Sequence, residues 1–143
     1  MAEDAQIRLR DDEPCMEPAV TLEAFAEQTN AVAVRIEPGG DARELLPHLD
    51  RLARVDIAFP AFTDGRGYSA ARILREAGFT GELRAVGDVL VDQLAYMRRC
   101  GFDAFAPDAP IDRADAEAAF ARFPQVYQSA ADARVPIWSL RHQ

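Results

Sequence analysis

The chain has no lysine. All 16 of its basic residues are arginines, which excludes both a Schiff-base lysine and the lysine of a phosphate-binding P-loop. Cysteine and histidine are nearly as scarce, with two of each. Cys15 lies in a polar leader and Cys100 far along the chain, so a disulfide framework has little support and the donor set is too poor for zinc or an iron–sulfur cluster. Neither Walker A nor the GxGxxG fingerprint occurs, and no cofactor and no metal is expected. No apolar run approaches the ~20 residues of a membrane-spanning helix, so no membrane partner is expected. The opening residues, MAEDAQIRLRDDEPCMEP, lack the basic, apolar and small-residue segments of a secretory signal, and the expected location is cytoplasmic. Positive charge is in deficit as well. A formal net charge of −8 provides no basic face for a phosphate backbone and argues against a nucleic-acid partner.

What the chain does contain is alternation. Its 143 residues suit one α/β domain, with 1–20 a partly extended leader and 135–143 a C-terminal tail. Four short runs rich in β-formers read as strands: AVAVRIEP (31–38), VDIAFPAF (55–62), ELRAVGD (82–88) and FDAFAPD (102–108). Each is followed by a helical pattern, at 41–54, 69–77, 88–100 and 112–123. In the second of these, Ala70, Ile73, Leu74 and Ala77 fall on one helical face, and in the third Leu90, Leu94 and Met97 do so. Ser69, Asp88 and Asp112 stand where N-caps belong, and Gly78 and Gly101 where a left-handed C′ residue belongs. Phe79 and Phe102 follow those glycines and are placed to close Schellman motifs. Repeated βα modules of this kind form a mostly parallel sheet flanked by helices. An open flavodoxin-like sandwich is the preferred arrangement; the alternative is half of a TIM-type barrel that forms a homodimer or is covered by the termini. QIRLR (6–10) alternates and suits an edge strand, and 11–20 reads as an extended linker.

In an open parallel sheet ligands bind beyond the carboxyl ends of the strands. That rule selects Glu37, Gly39 and Gly40 after the first strand, the loop TDGRGYS after the second, Gly87 and Asp88 after the third, and Pro107 and Asp108 after the fourth. The second loop is the richest. Asp64, Gly65, Arg66, Gly67, Tyr68 and Ser69, with Arg72 one turn on and Gly87 and Asp88 beside them, are the candidate anion-binding residues. Glycine permits close backbone approach, a helix start offers N–H donors, and arginine supplies a positive fork. The plainer reading makes the same stretch a tight strand-to-helix turn with Ser69 and Asp88 as caps. Cys100 at a helix end reads as a packed structural thiol, and neither His48 nor His142 has the partners of a triad.

Over FPAFTDGRGYSAARILRE and GFTGELRAVGDVLVDQLAYMRRCGFDAF the chain resembles the bacterial family known as domain of unknown function 934, described as sulfite-reductase-associated and oxidoreductase-like. The likeness covers roughly residues 30 to 135. Its signature coincides with Asp64, Gly65, Arg66, Tyr68, Ser69 and Arg72, then with Gly87, Asp88, Asp92, Gln93 and the turn Arg99-Cys100-Gly101-Phe102. The resemblance implies a small cytoplasmic bacterial protein of sulfur assimilation, whose gene neighbours those for sulfite and adenylylsulfate reduction. It brings no catalytic residues with it. Two expectations follow: an accessory protein that binds or assists a reductase of that pathway, or an enzyme or sensor with a small anionic ligand at the strand ends.

Overall fold

The computed structural model describes residues 7–27, 30–60 and 65–121. Its strands are β1 (Ile7–Arg8), β2 (Val20–Thr21), β3 (Ala33–Ile36), β4 (Arg54–Phe59), β5 (Glu82–Gly87) and β6 (Ala104–Pro107). Its α-helices are α1 (Leu22–Glu27), α2 (Arg66–Glu76), α3 (Leu94–Cys100) and α4 (Arg113–Ala121). A 3-10 helix (Ala42–Arg51) links β3 to β4, and a single 3-10 turn (Val91–Gln93) leads into α3. Pro47 lies within the longer of these and withholds a backbone donor there. The four expected modules are therefore present, and QIRLR does supply an edge strand. The short unit β2–α1, which precedes them, has no counterpart among the expected elements.

One sheet runs β1-β6-β5-β4-β3-β2, all parallel except for the antiparallel pair β1–β6. The fold is the expected α/β sandwich. From β2 to β6 the strands lie side by side in chain order, without the reversal of the flavodoxin order; the half-barrel arrangement has this sequential order too. Right-handed crossovers then put successive helices on one side of the sheet. Ile36, Ile57, Ala85 and Phe105 lie abreast on that side. α2 packs there over Ile57 and Phe59, and α4 brings Phe120 to within 5.8 Å of the Phe105 ring.

The opposite face carries charge. Arg54, Asp56, Glu82 and Arg8 are all buried there. The Arg54 guanidinium donates from Nε to Asp56 Oδ1 (2.8 Å) and from its two Nη atoms to the carbonyls of Cys15 (2.6 Å) and Glu17 (2.8 Å). Arg84 pairs with the same Asp56 carboxylate, and Arg8 with Glu82. The leader thus straps this face, held by Arg54 at Cys15 and Glu17 and by Arg8 at Asp12. At the start of the strap, hydrogen bonds from Arg10 and then Arg8 lower the Asp12 carboxyl to about 2. Buried charge needs such complete pairing, since an ion stripped of water and left unmatched is strongly destabilising.

Both helix ends predicted from Gly-Phe are Schellman motifs. Phe79 N–H donates to Leu74 O and Gly78 N–H to Arg75 O; Phe102 N–H donates to Met97 O and Gly101 N–H to Arg98 O. Gly78 and Gly101 have φ of 103° and 121°, angles that carry strain for any residue with a Cβ. Asp112 caps α4 through Ala114 N–H at 3.1 Å. The other two expected caps are corrected. α2 begins at Arg66 with Gly65 at its N-cap, so Ser69 stands inside the first turns rather than before them. Asp88 sits in a bend just past β5, its N–H still donating across the ladder to Phe59 O at 2.7 Å, and Leu90 occupies the N-cap of the 3-10 turn that follows.

Candidate functional site

A cavity of about 420 Å³ opens at the carboxyl ends of β3 and β4. One wall is the loop Glu37 to Asp41 and the other is the start of α2. Gly39 takes φ 87°, and Arg66 Nη1 lies 3.5 Å from the point where a side chain on Gly39 would begin. Gly40 is wedged between Leu22 and Ile36, and its N–H donates to Glu37 O at 2.8 Å. The floor is apolar, formed by Ile36, Ile57, Ala70 and Ile73, while Arg66, Ser69, Arg43, Asp41 and Glu37 form the rim. Both rim acids have partners. Glu37 pairs with Arg35, and Asp41 caps the 3-10 helix through Arg43 N–H (3.0 Å) with the Arg43 guanidinium 3.6 Å away.

Gly65 and Gly67, at the start of α2, do different things, and neither has a positive φ. A Cβ on Gly67 would fall 2.5 Å from Phe59 Cζ and 3.0 Å from Ile57 Cγ2. Glycine there is what lets the first turn of α2 lie directly on β4. Gly65 has φ −90° and ψ 0°, and nothing lies within 4 Å of its notional Cβ.

Helical phase divides the remaining candidates. Arg66, Ser69, Ala70 and Ile73 face the cavity, whereas Tyr68 and Arg72, four residues apart, face α3. The Tyr68 ring packs on Phe59 (5.4 Å) and Tyr96 (5.0 Å), and its hydroxyl accepts from Gln93 Nε2 at 3.2 Å. Burial pushes that hydroxyl above its usual pKa. The Arg72 guanidinium is shifted upward by hydrogen bonding first to Cys100 and then to Tyr96. Cys100 itself is 3% exposed, as a packed thiol should be. Gly87 and Asp88 also lie outside the cavity lining. Gly87 has φ 103°, its Cβ would meet Phe59 O at 2.5 Å, and its carbonyl accepts from Val89 and Asp108, so it locks the ends of β4, β5 and β6 together. Asp64 lies outside the described residues. The cavity therefore gathers Arg66, Gly67 and Ser69 with Glu37, Gly39 and Gly40. It adds Arg43, in the first turn of the 3-10 helix, and Ile73, two turns into α2, neither of which the strand-end rule selects, since it reads only the loops.

The geometry defines an α/β protein with a ligand-sized cavity at the ends of its parallel strands. The chain belongs to the bacterial family described as "Bacterial protein of unknown function (DUF934)", whose model matches residues 33–138. That span contains every residue of the cavity and excludes the strap, β1, β2 and α1. No curated protein and no solved structure matches the chain. Among the described residues no helix is long and apolar enough to cross a membrane, and no group of three or more His, Cys, Asp or Glu is placed to hold a metal ion.

Proposed function

We propose that this protein holds a small anion or anionic group in the cavity at the ends of β3 and β4, and serves assimilatory sulfate and sulfite reduction as an accessory to a reductase of that pathway. The ligand half of this reading is carried by one observation. The first turn of α2 brings Arg66 across to the Gly39 loop, so that two segments remote in sequence close on one cavity. A guanidinium at the start of a helix adds its charge to the positive end of the helix dipole. The pathway half is supported by the resemblance to sulfite-reductase-associated proteins. An accessory role suits the side chains around the cavity, where, among the described residues, arginine, serine and paired carboxylates offer binding groups and no activated nucleophile. His48 is engaged elsewhere, edge-on to Phe25 at 5.1 Å and in contact with Arg51.

Thermal-shift measurements with sulfite, sulfate and adenylylsulfate test the ligand half. At a hundredfold excess over the dissociation constant a ligand stabilises by about 2.7 kcal/mol, and the resulting rise in melting temperature should vanish in Arg66→Ala. The absence of any shift at millimolar ligand would refute it. The pathway half is tested by affinity capture from cells growing on sulfate, which should recover an enzyme of sulfite or adenylylsulfate reduction; capture without one would count against the partner.

A further inference from the structure

We infer that the ligand of the strand-end cavity is an oxyanion carried on an apolar body of about ring size, an organic phosphate, sulfate or carboxylate, rather than a bare inorganic anion. The inference rests on the anion reading above and narrows it. Size is the first argument. A cavity of about 420 Å³ holds about fourteen waters at ~30 Å³ each, whereas a tetrahedral inorganic anion replaces on the order of two or three. Such an anion would leave most of the space to solvent.

The distribution of polarity is the second argument. Ile36 and Ile57 are buried at 2% and 1% exposure and close the floor of the cavity, and the apolar surface open to a ligand there is chiefly that of half-buried Ile73 beside Ala70. A bare oxyanion gains nothing from that floor and loses hydration beside it, whereas an apolar group gains from every part of the floor it covers. The arginines Arg66 and Arg43 stand on the rim. An apolar base with a few convergent polar groups at its mouth is the usual form of a site for an organic ligand, with the polar groups fixing orientation. The oxyanion would meet Arg66 and the backbone of the Gly39–Gly40 loop, and the body would lie on Ile73 and Ala70.

The test is isothermal titration of the full chain with phenyl phosphate, inorganic phosphate and phenol, repeated on Arg66→Gln and Ile73→Ser after their melting temperatures are checked. Phenyl phosphate should bind about tenfold or more tighter than inorganic phosphate. Ile73→Ser should erase that advantage and leave phosphate binding unchanged, while Arg66→Gln should weaken both. Equal affinity for phenyl phosphate and phosphate, each weakened by Arg66→Gln, would overturn the inference and leave the anion reading standing. Phenol binding as tightly as phenyl phosphate would overturn it in favour of a purely apolar pocket. No binding of any of the three would overturn the inference and the anion reading together. The ligand series on the unaltered chain decides the matter even if Ile73→Ser fails to fold.

Discussion

The two ends of α2 are built on opposite plans. Its C-terminal end is closed by a Schellman motif and clasped by Arg75, whose guanidinium donates to Gly101 O (2.9 Å), Phe79 O (2.8 Å), Gly81 O (2.8 Å) and Asp103 Oδ2 (3.0 Å). Asp103 also accepts from Arg10 and from Leu83 N–H, so one cation ties together two helix ends, the start of β5 and the strap. The N-terminal end has a glycine at its N-cap, an exposed arginine and a cavity beside it. The contrast gives anchoring to the C-terminal end of the helix and leaves the N-terminal end for the recognition proposed above. It also explains why arginines nine positions apart on one helix, Arg66 and Arg75, should answer so differently to substitution.

The largest expected effect lies at the clasp. Burial lowers the Arg75 pKa and the Asp103 charge opposes that shift, so the group remains a cation held by its partners. Arg75→Ala would take this donor from the Gly101 and Phe79 carbonyls and leave the Gly81 carbonyl and Asp103 Oδ2 with Arg10, and should destabilise by about 3 kcal/mol in urea unfolding. Arg75→Lys should recover little of this, because an ammonium cannot span the same fork. A destabilisation below about 1 kcal/mol would erase the contrast between the ends.

An intermediate effect is expected within the first turn itself. Gly67→Ala places a methyl group 2.5 Å from Phe59 Cζ, and the strain of separating α2 from β4 should cost about 1–3 kcal/mol. Gly65→Ala meets nothing within 4 Å and keeps a φ of −90°, so its effect should stay within about 0.5 kcal/mol. Chemical denaturation of the two variants side by side sharpens the comparison. Equal destabilisation would mean that backbone freedom, rather than the approach of helix to strand, is what glycine supplies here.

How much of this is legible in the sequence follows from how local each feature is. Gly78-Phe79 and Gly101-Phe102 announce Schellman motifs because the angles and contacts involved span only a few residues. The sequence pattern puts the start of α2 at Ser69 because two glycines weigh against helix; only the packing of Gly67 on Phe59 and Ile57, side chains of another element, accounts for a glycine in that turn. Once Arg66 is known to begin the helix, a 3.6-residue period separates the cavity residues from Tyr68 and Arg72. The charged face is visible as alternation in RVDIAF and ELRAVG, a pattern at odds with a parallel sheet covered by helices on both sides. Its meaning depends on Arg54 meeting carbonyls 39 and 37 residues away. Neither the sequential strand order nor the two-residue strand β2 leaves a periodic signal, since both are set by pairing rather than by composition.

The smallest effect on stability is expected at Arg66, and it separates the two readings of the loop most cleanly. Arg66 is exposed and opens the helix, so Arg66→Ala should alter unfolding free energy by no more than about 0.5 kcal/mol, as most surface substitutions do. As a ligand group it should still be indispensable, because water filling the place of a guanidinium reproduces neither its charge nor the fixed direction of its donors. The expected result is a variant with an unchanged urea midpoint, no thermal shift with anions, and no rescue of growth on sulfate in a deletion strain that the unaltered gene does rescue. If Arg66→Ala instead unfolds as readily as Arg75→Ala, both ends of α2 are structural clasps and the cavity between Gly39 and Ile73 loses its claim to recognition. If it folds, binds and complements in full, the stretch from Gly65 to Ser69 is a connection in which Gly67 fits a helix onto a strand and Arg66 is dispensable for recognition.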